Sequence, residues 1–202
     1  MENIKETLTK IALKIAKQKK GCLFIIMNNW FDAAPLIEQD IKPFSVFENQ
    51  RRAEALGLLD GACLISPEGY LLAYSMNILN VKTFMGYGTR HSAAHTASMN
   101  ENVAILASEE DCKVRIFKDG KLIMELDALE KGIETKTKDI VSILESIGVG
   151  TLTALGAGVL VPTIGLTLIP GILIFTTAHY AFKLMGQMLH KNGNGTQQPL
   201  NL

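Results

Sequence analysis

The sequence predicts an α/β fold: a central mixed β-sheet of about five to seven strands flanked by helices, followed by a C-terminal apolar helical segment of membrane character. Three observations lead there. Apolar runs of strand length and stretches of helical periodicity alternate along residues 21–126 instead of being segregated. Two pairs of these runs are joined by tight-turn signals, Pro67-Glu68-Gly69 and Asp119-Gly120. Finally, the 37 residues from Ser146 to Phe182 contain no Asp, Glu, Lys or Arg.

Taken in order, residues 1–20 place Ile4, Leu8, Ile11, Ala12 and Ile15 at helical spacing among six lysines and two glutamates. That is a basic amphipathic helix and not a secretory signal. Its apolar stripe suits packing on the following sheet, with an anionic membrane surface as the alternative. Gly21 to Met27 is a buried strand. Residues 35–59 are irregular and then helical, with Arg51, Arg52 and Glu54 on a solvated face. Ala62–Ser66 and Tyr70–Tyr74 form a hairpin. Gly88–Met99 is a loop that becomes an alanine-rich helix. Val103–Ala107, Lys113–Phe117 and Leu122–Leu126 are three further strands.

The domain so outlined covers residues 21–135. Residues 146–185 form an apolar segment long enough, at 1.5 Å per residue, to exceed a hydrocarbon core of about 30 Å. Pro162, Gly165, Pro170 and Gly171 interrupt it, which favours a helical hairpin, or one span followed by an interfacial piece. Lysines on both flanks favour a hairpin with both ends in the cytoplasm. A helical pair packed on a partner subunit is the other way to cover such a surface. Residues 191–202 are polar and expected to be flexible.

The chain has 20 basic and 20 acidic residues, so its net charge is zero. The balance is a sum of unlike parts: +4 in residues 1–20 and −6 in residues 21–145. No basic domain or stripe points to nucleic acid as a partner. Cys22, Cys63 and Cys112 are odd in number and widely spaced, and each lies in an apolar run, so buried thiols in a reducing compartment are expected.

Three stretches bring reactive groups to strand ends. Asp60-Gly61-Ala62 supplies a carboxylate, a glycine that admits a ligand to the backbone, and a small residue. Gly88-Thr89-Arg90-His91 stands at a helix start, where free N–H groups, a hydroxyl, a guanidinium and an imidazole suit a phosphate. Ser108-Glu109-Glu110 ends a strand with hard oxygen donors suited to Mg²⁺ or Mn²⁺. Each alone is a common turn or surface motif; their order and spacing raise their combined weight.

Together, Asp60-Gly61-Ala62, Gly88-Thr89-Arg90-His91 with Ala93-Ala94, and Ser108-Glu109-Glu110 leading into the Asp119-Gly120 hairpin resemble the diadenylate cyclase domain, also found at the N-terminus of DNA-integrity scanning proteins. The resemblance covers roughly residues 10–127. It implies a condensation of two ATP into cyclic di-AMP with loss of two pyrophosphates, by a face-to-face dimer. Asp60 would bind Mg²⁺ or Mn²⁺ and activate a ribose 3′-hydroxyl. Gly61, Ala62 and Asn77 would contact the nucleotide, and Thr89, Arg90 and His91 would hold its triphosphate. Ser108 and Glu109 would lie at the phosphate and metal end, with Glu110 as a further carboxylate. The family usually reads Arg-His-Arg where this chain has Arg90-His91-Ser92, and Met76-Asn77-Ile78-Leu79 departs from its Leu- and Pro-containing base-contacting segment. A non-catalytic adenine-nucleotide sensor or membrane effector is thus the alternative, and a structural interaction module a third. The expected location is the cell membrane, attached through residues 146–182 with the domain cytoplasmic, or else the cytoplasm.

Overall fold

The computed structural model describes residues 3–146, 168–169 and 172–175. Four helices are described: α1 (Ile4–Lys17), α2 (Gln50–Gly57), α3 (Thr89–Ala97) and α4 (Thr137–Ser146). The first eight strands are β1 (Cys22–Ile26), β2 (Ala33–Pro35), β3 (Phe44–Ser45), β4 (Ala62–Ile65), β5 (Tyr70–Ile78), β6 (Val103–Ala107), β7 (Lys113–Lys118) and β8 (Lys121–Asp127).

These strands form one mixed sheet in the order β2-β5-β4-β1-β6-β7-β8, with β3 also paired to β5. β1 and β4 run parallel, and β1 pairs antiparallel with β6. The expectation of five to seven strands is therefore too low. β2 and β3 are three and two residues long, too short for a period-two pattern to register in the sequence.

Alternation along β1 divides the core between the two faces of the sheet. Cys22, Phe24 and Ile26 pack with Leu8, Ile11, Ala12 and Ile15 of α1, Ala53 of α2 and Ile140 of α4. Leu23 and Ile25 point the other way and pack with Ala94 and Ala97 of α3, together with Leu106 and Phe117. The result is three layers, with α3 alone among the described helices on the second face. All five residues of β1 and of β6 are buried, as strands covered on both faces must be.

The basic N-terminal helix takes the packed arrangement and not the membrane-surface one. Asn3 caps it by accepting a hydrogen bond from Lys5 N at 3.0 Å. Leu8, Ala12, Leu13, Ile15 and Ala16 are fully buried. Its lysines face outward and pair with carboxylates: Lys10 with Glu6, Lys14 with Glu54 and Lys17 with Glu134. Exposed pairs of this kind add little stability, so apolar burial fixes the helix in place. The three cysteines are buried and free, as expected. Burial raises the Cys63 thiol to about 12 and pushes Cys22 upward as well, so neither is a thiolate at neutral pH.

Most of the apolar segment 146–182, and the tail 191–202, lie outside the described residues. Leu168–Ile169 (β9) and Ile172–Phe175 (β10) are extended, not helical; β10 pairs in parallel with β8 and antiparallel with β9. A helix through these six residues is thus corrected to a pair of short strands, for which the branched Ile-Leu-Ile run has the higher propensity. Among the described residues no helix is long and apolar enough to cross a membrane.

Candidate functional site

Because β1 and β4 are parallel and both neighbour oppositely directed strands, one edge of the sheet collects the starts of β1 and β4 and the ends of β5 and β6. Helix α3 begins above that edge. There a cleft of about 870 Å³ opens, lined by Asp60, Gly61, Ala62, Asn77, Thr89, Arg90, His91, Ser108 and Glu109 among others. All nine site residues expected from the sequence share it, although they come from four separate stretches of chain. Glu110 lines it too.

Asp60 precedes β4 and its Oδ1 accepts a hydrogen bond from Gly61 N at 2.9 Å. Ser75 Oγ donates to the Asp60 carbonyl at 2.7 Å, anchoring this turn to β5. Gly61 is required twice over: its φ is +90°, and a Cβ would lie 2.8 Å from Met76 N and from Ser75 C. Asn77 is exposed on β5 beside Met76 and Ile78, forming the wall opposite α3.

The first turn of α3 has no side-chain cap, so its N–H groups are left for a ligand. Thr89 is exposed there. Arg90 lies against Gly21, just before β1, so closely that a Cβ at residue 21 would fall 2.1 Å from Nη1. Its guanidinium is 3.7 Å from the Glu109 carboxylate across the cleft, with side chains 37% and 58% exposed. A long, solvated pair of this kind is weak enough to yield to an anion at Arg90 and a cation at Glu109.

His91 and Ser92 turn inward. Ser92 Oγ accepts from Phe84 N at 3.0 Å and donates to the Gly88 carbonyl at 3.3 Å, tying the preceding loop to the helix. His91 is buried, with the Tyr87 ring tilted against it at 4.8 Å between centroids and Arg115 Nη1 at 3.0 Å from its Nε2. Burial, and then the Arg115 charge, press its pKa down to about 4, so it faces the cleft as a neutral imidazole.

Sequence reasoning missed Arg115, Tyr87 and Asp111. Arg115 sits on β7 with only 4% of its surface exposed. Nε donates to Glu125 Oε2 at 2.7 Å, and both terminal nitrogens bond the Asp111 carboxylate. Its guanidinium also lies 5.3 Å from the Tyr87 ring centre. The signal was hairpin register: Arg115 and Glu125 stand opposite each other across the Asp119-Gly120 turn. Unlike Lys113 and Asp127, which face each other at the strand ends, this basic residue and its acidic partner lie opposite each other inside both strands, between apolar neighbours.

Asp60 and Glu109 are the cleft carboxylates that could hold a divalent cation, with Glu110 and Ser108 close in sequence. Among the described residues no group of three or more His, Cys, Asp or Glu could hold a metal ion alone. Mg²⁺ is commonly held by one or two carboxylates with substrate phosphates completing its shell, so the donor set fits a cation that arrives with a nucleotide.

A three-layer α/β domain with an uncapped helix start, an arginine and paired carboxylates at one sheet edge is of the phosphate-binding class. The chain belongs to the DisA bacterial checkpoint controller nucleotide-binding (DAC) family, whose profile matches residues 10–122. It is 31% identical over 140 residues to a protein of Methanocaldococcus jannaschii named diadenylate cyclase; the match takes in 59% of this chain and 44% of that relative. The chain thus spans less than half the length of that relative. Among solved structures it is similar to Staphylococcus aureus DacA in a double-cysteine mutant form, with a TM-score of 0.48, 17% identity and coverage of 71% and 93% of the two chains. A hypothetical membrane-spanning protein from Bacillus cereus gives a TM-score of 0.43, 17% identity and coverage of 57% and 59%.

Proposed function

We propose that this protein is a diadenylate cyclase, joining two ATP molecules into cyclic di-AMP with release of two pyrophosphates. The observation that carries the reading is the convergence of Asp60-Gly61-Ala62, Thr89-Arg90-His91 and Ser108-Glu109 in one cleft of nucleotide size. Each protomer holds one ATP. The base lies toward Asn77, with Gly61 and Ala62 letting the nucleoside approach the backbone. The free N–H groups of α3, Thr89 and Arg90 bind the triphosphate, and neutral His91 contributes an N–H donor without adding charge.

Asp60 takes the proton of a ribose 3′-hydroxyl as that oxygen attacks the α-phosphorus of the ATP held by the facing protomer. A new P–O bond forms, the α–β bridging P–O bond breaks, and pyrophosphate leaves. A divalent cation, Mg²⁺ or Mn²⁺, held by Asp60 and Glu109, supplies charge neutralisation when bound. The protein's part is otherwise positioning, the usual demand of phosphoryl transfer. Repetition with the roles exchanged closes the ring. Outside the six residues of β9 and β10, the run 146–182 attaches the protein to the cell membrane with the domain on the cytoplasmic side; its lack of Asp, Glu, Lys and Arg supports this placement.

Incubation of purified protein with ATP and Mg²⁺ or Mn²⁺ is expected to yield cyclic di-AMP by mass spectrometry, and Asp60→Asn is expected to abolish it without loss of fold. Folded, self-associating wild-type protein giving no product with either metal would sink the reading. A second reading, a nucleotide sensor without turnover, draws on Ser92, which stands where the family's second arginine would add charge. It predicts ATP binding with no product.

A further inference from the structure

We propose that Arg115 is a positioning residue for the nucleotide site: its guanidinium holds His91 with the imidazole proton on Nδ1 and ties the first turn of α3 to the 108–111 loop. The proposal rests on the cleft being a nucleotide site and adds to it a residue outside the cleft lining.

Arginine is a donor only. Its Nη1 lies 3.0 Å from His91 Nε2, so that nitrogen must be the acceptor and the ring proton must sit on Nδ1. The same terminal nitrogens hold Asp111. Glu125, itself bonded by Lys113 at 2.6 Å, holds Nε. One buried fork therefore fixes both lips of the cleft: the α3 start through His91, and the Ser108–Asp111 loop through Asp111. The fork is in turn aimed by Glu125 from the neighbouring strand.

The charged groups around His91 are Arg115 and Glu125 from the sheet, Asp111 from the loop and Arg90 from its own helix, with the Tyr87 ring closing the remaining side. Two cations and two carboxylates nearly cancel, and burial leaves the imidazole neutral. A lysine at 115 would keep a charge between Asp111 and Glu125 but has one nitrogen, which cannot reach both carboxylates and the imidazole at once.

The test uses full-length protein labelled with ¹⁵N-histidine, in which two-bond ¹H–¹⁵N correlations report each ring's protonated nitrogen. His91→Gln assigns the resonance among the four histidines. Wild-type His91 is expected to show a bare Nε2 and no titration between pH 5 and 8. Arg115→Lys is expected to fold but to show His91 in mixed tautomers. Its turnover of ATP should fall by roughly tenfold or more while KM changes by less than about threefold. A wild-type ring carrying its proton on Nε2, or an Arg115→Lys protein with wild-type turnover and an unchanged His91 spectrum, would overturn the proposal. If the variant fails to fold, the wild-type spectrum alone decides. Wild-type protein with the expected tautomer but no cyclic dinucleotide would remove the cyclase reading and leave the tautomer assignment standing.

Discussion

Gly61 lines the cleft and Gly21 lies against Arg90, which lines it, yet a methyl group would do different things at each. At residue 21 the obstruction is the tip of the Arg90 side chain, 2.1 Å from an added Cβ. A flexible guanidinium can move, so Gly21→Ala is expected to change stability by less than about 1 kcal/mol while raising KM for ATP severalfold, since the displaced group is the one proposed to meet the phosphates. At residue 61 the obstruction is backbone of β5 and φ is +90°, so neither side can give. Gly61→Ala is expected to cost about 2–4 kcal/mol and so to lower the melting temperature, a loss that Gly21→Ala does not show. Thermal melts and steady-state kinetics on the two variants, side by side, separate these outcomes.

His91 carries a pH signature at the same scale. Its folded pKa of about 4 lies below the ordinary value of 6.5, so between those limits the unfolded chain binds a proton that the native protein does not. Stability contributed by the neutral ring is therefore intact above pH 6.5, falls as pH drops through the window and levels off below about 4. Asp111 acts in the same direction: burial opposes its ionisation, but hydrogen bonds from Arg115 and Ser108 hold its carboxyl below the usual carboxylate range, so its contribution too is lost in acid. The melting temperature is expected to fall from pH 6.5 to 4.5, and to fall less steeply in His91→Gln. Equal slopes in the two proteins would contradict a neutral buried His91.

Among elements, α3 carries the most function and shows how far the sequence could be read. Its start was legible because Gly88-Thr89-Arg90-His91 followed by alanines is a loop-to-helix transition, and its residues reach the cleft through one helical turn. The division of labour within that turn was not legible: Thr89 and Arg90 face outward, while His91 and Ser92 are buried. One-residue differences in facing depend on which side of the sheet the helix covers, and that is settled by long-range pairing of β1 with β4 and β6. The same reason hid Arg115, since Lys113-Val114-Arg115-Ile116-Phe117 looks like a strand with one wet face until α3 covers it. Ser92 follows from the same geometry. Its hydroxyl satisfies Phe84 N and bonds the Gly88 carbonyl, so Ser92→Ala is expected to cost about 1–2 kcal/mol by leaving a partly buried N–H unpaired. Ser92→Arg, which would restore the family's usual residue, is expected to cost more than Ser92→Ala in a chemical melt, because a residue 6% exposed here has no room for an unpaired guanidinium.

At the scale of the whole molecule, the proposed cyclase reaction calls for a pair of protomers. The cleft of one protomer presents one uncapped helix start, that of α3, and one Arg90 with its Asp60, which in the proposed reaction hold one triphosphate and activate one hydroxyl. A ring of two nucleotides needs two such attacks in opposite senses, which a two-fold axis between facing clefts supplies. Product formed per protomer is therefore expected to rise with protein concentration until the pair is saturated, and to be flat if one protomer suffices. Mixing gives a sharper reading of the same geometry. A pair made of one wild-type and one Asp60→Asn protomer retains one competent hydroxyl activation, so it should form one phosphodiester bond and stop. Mass spectrometry of wild-type protein titrated with excess Asp60→Asn is then expected to show linear dinucleotide accumulating as cyclic product declines. Cyclic product that falls only in proportion to dilution, with no linear species, would mean that each protomer closes the ring alone.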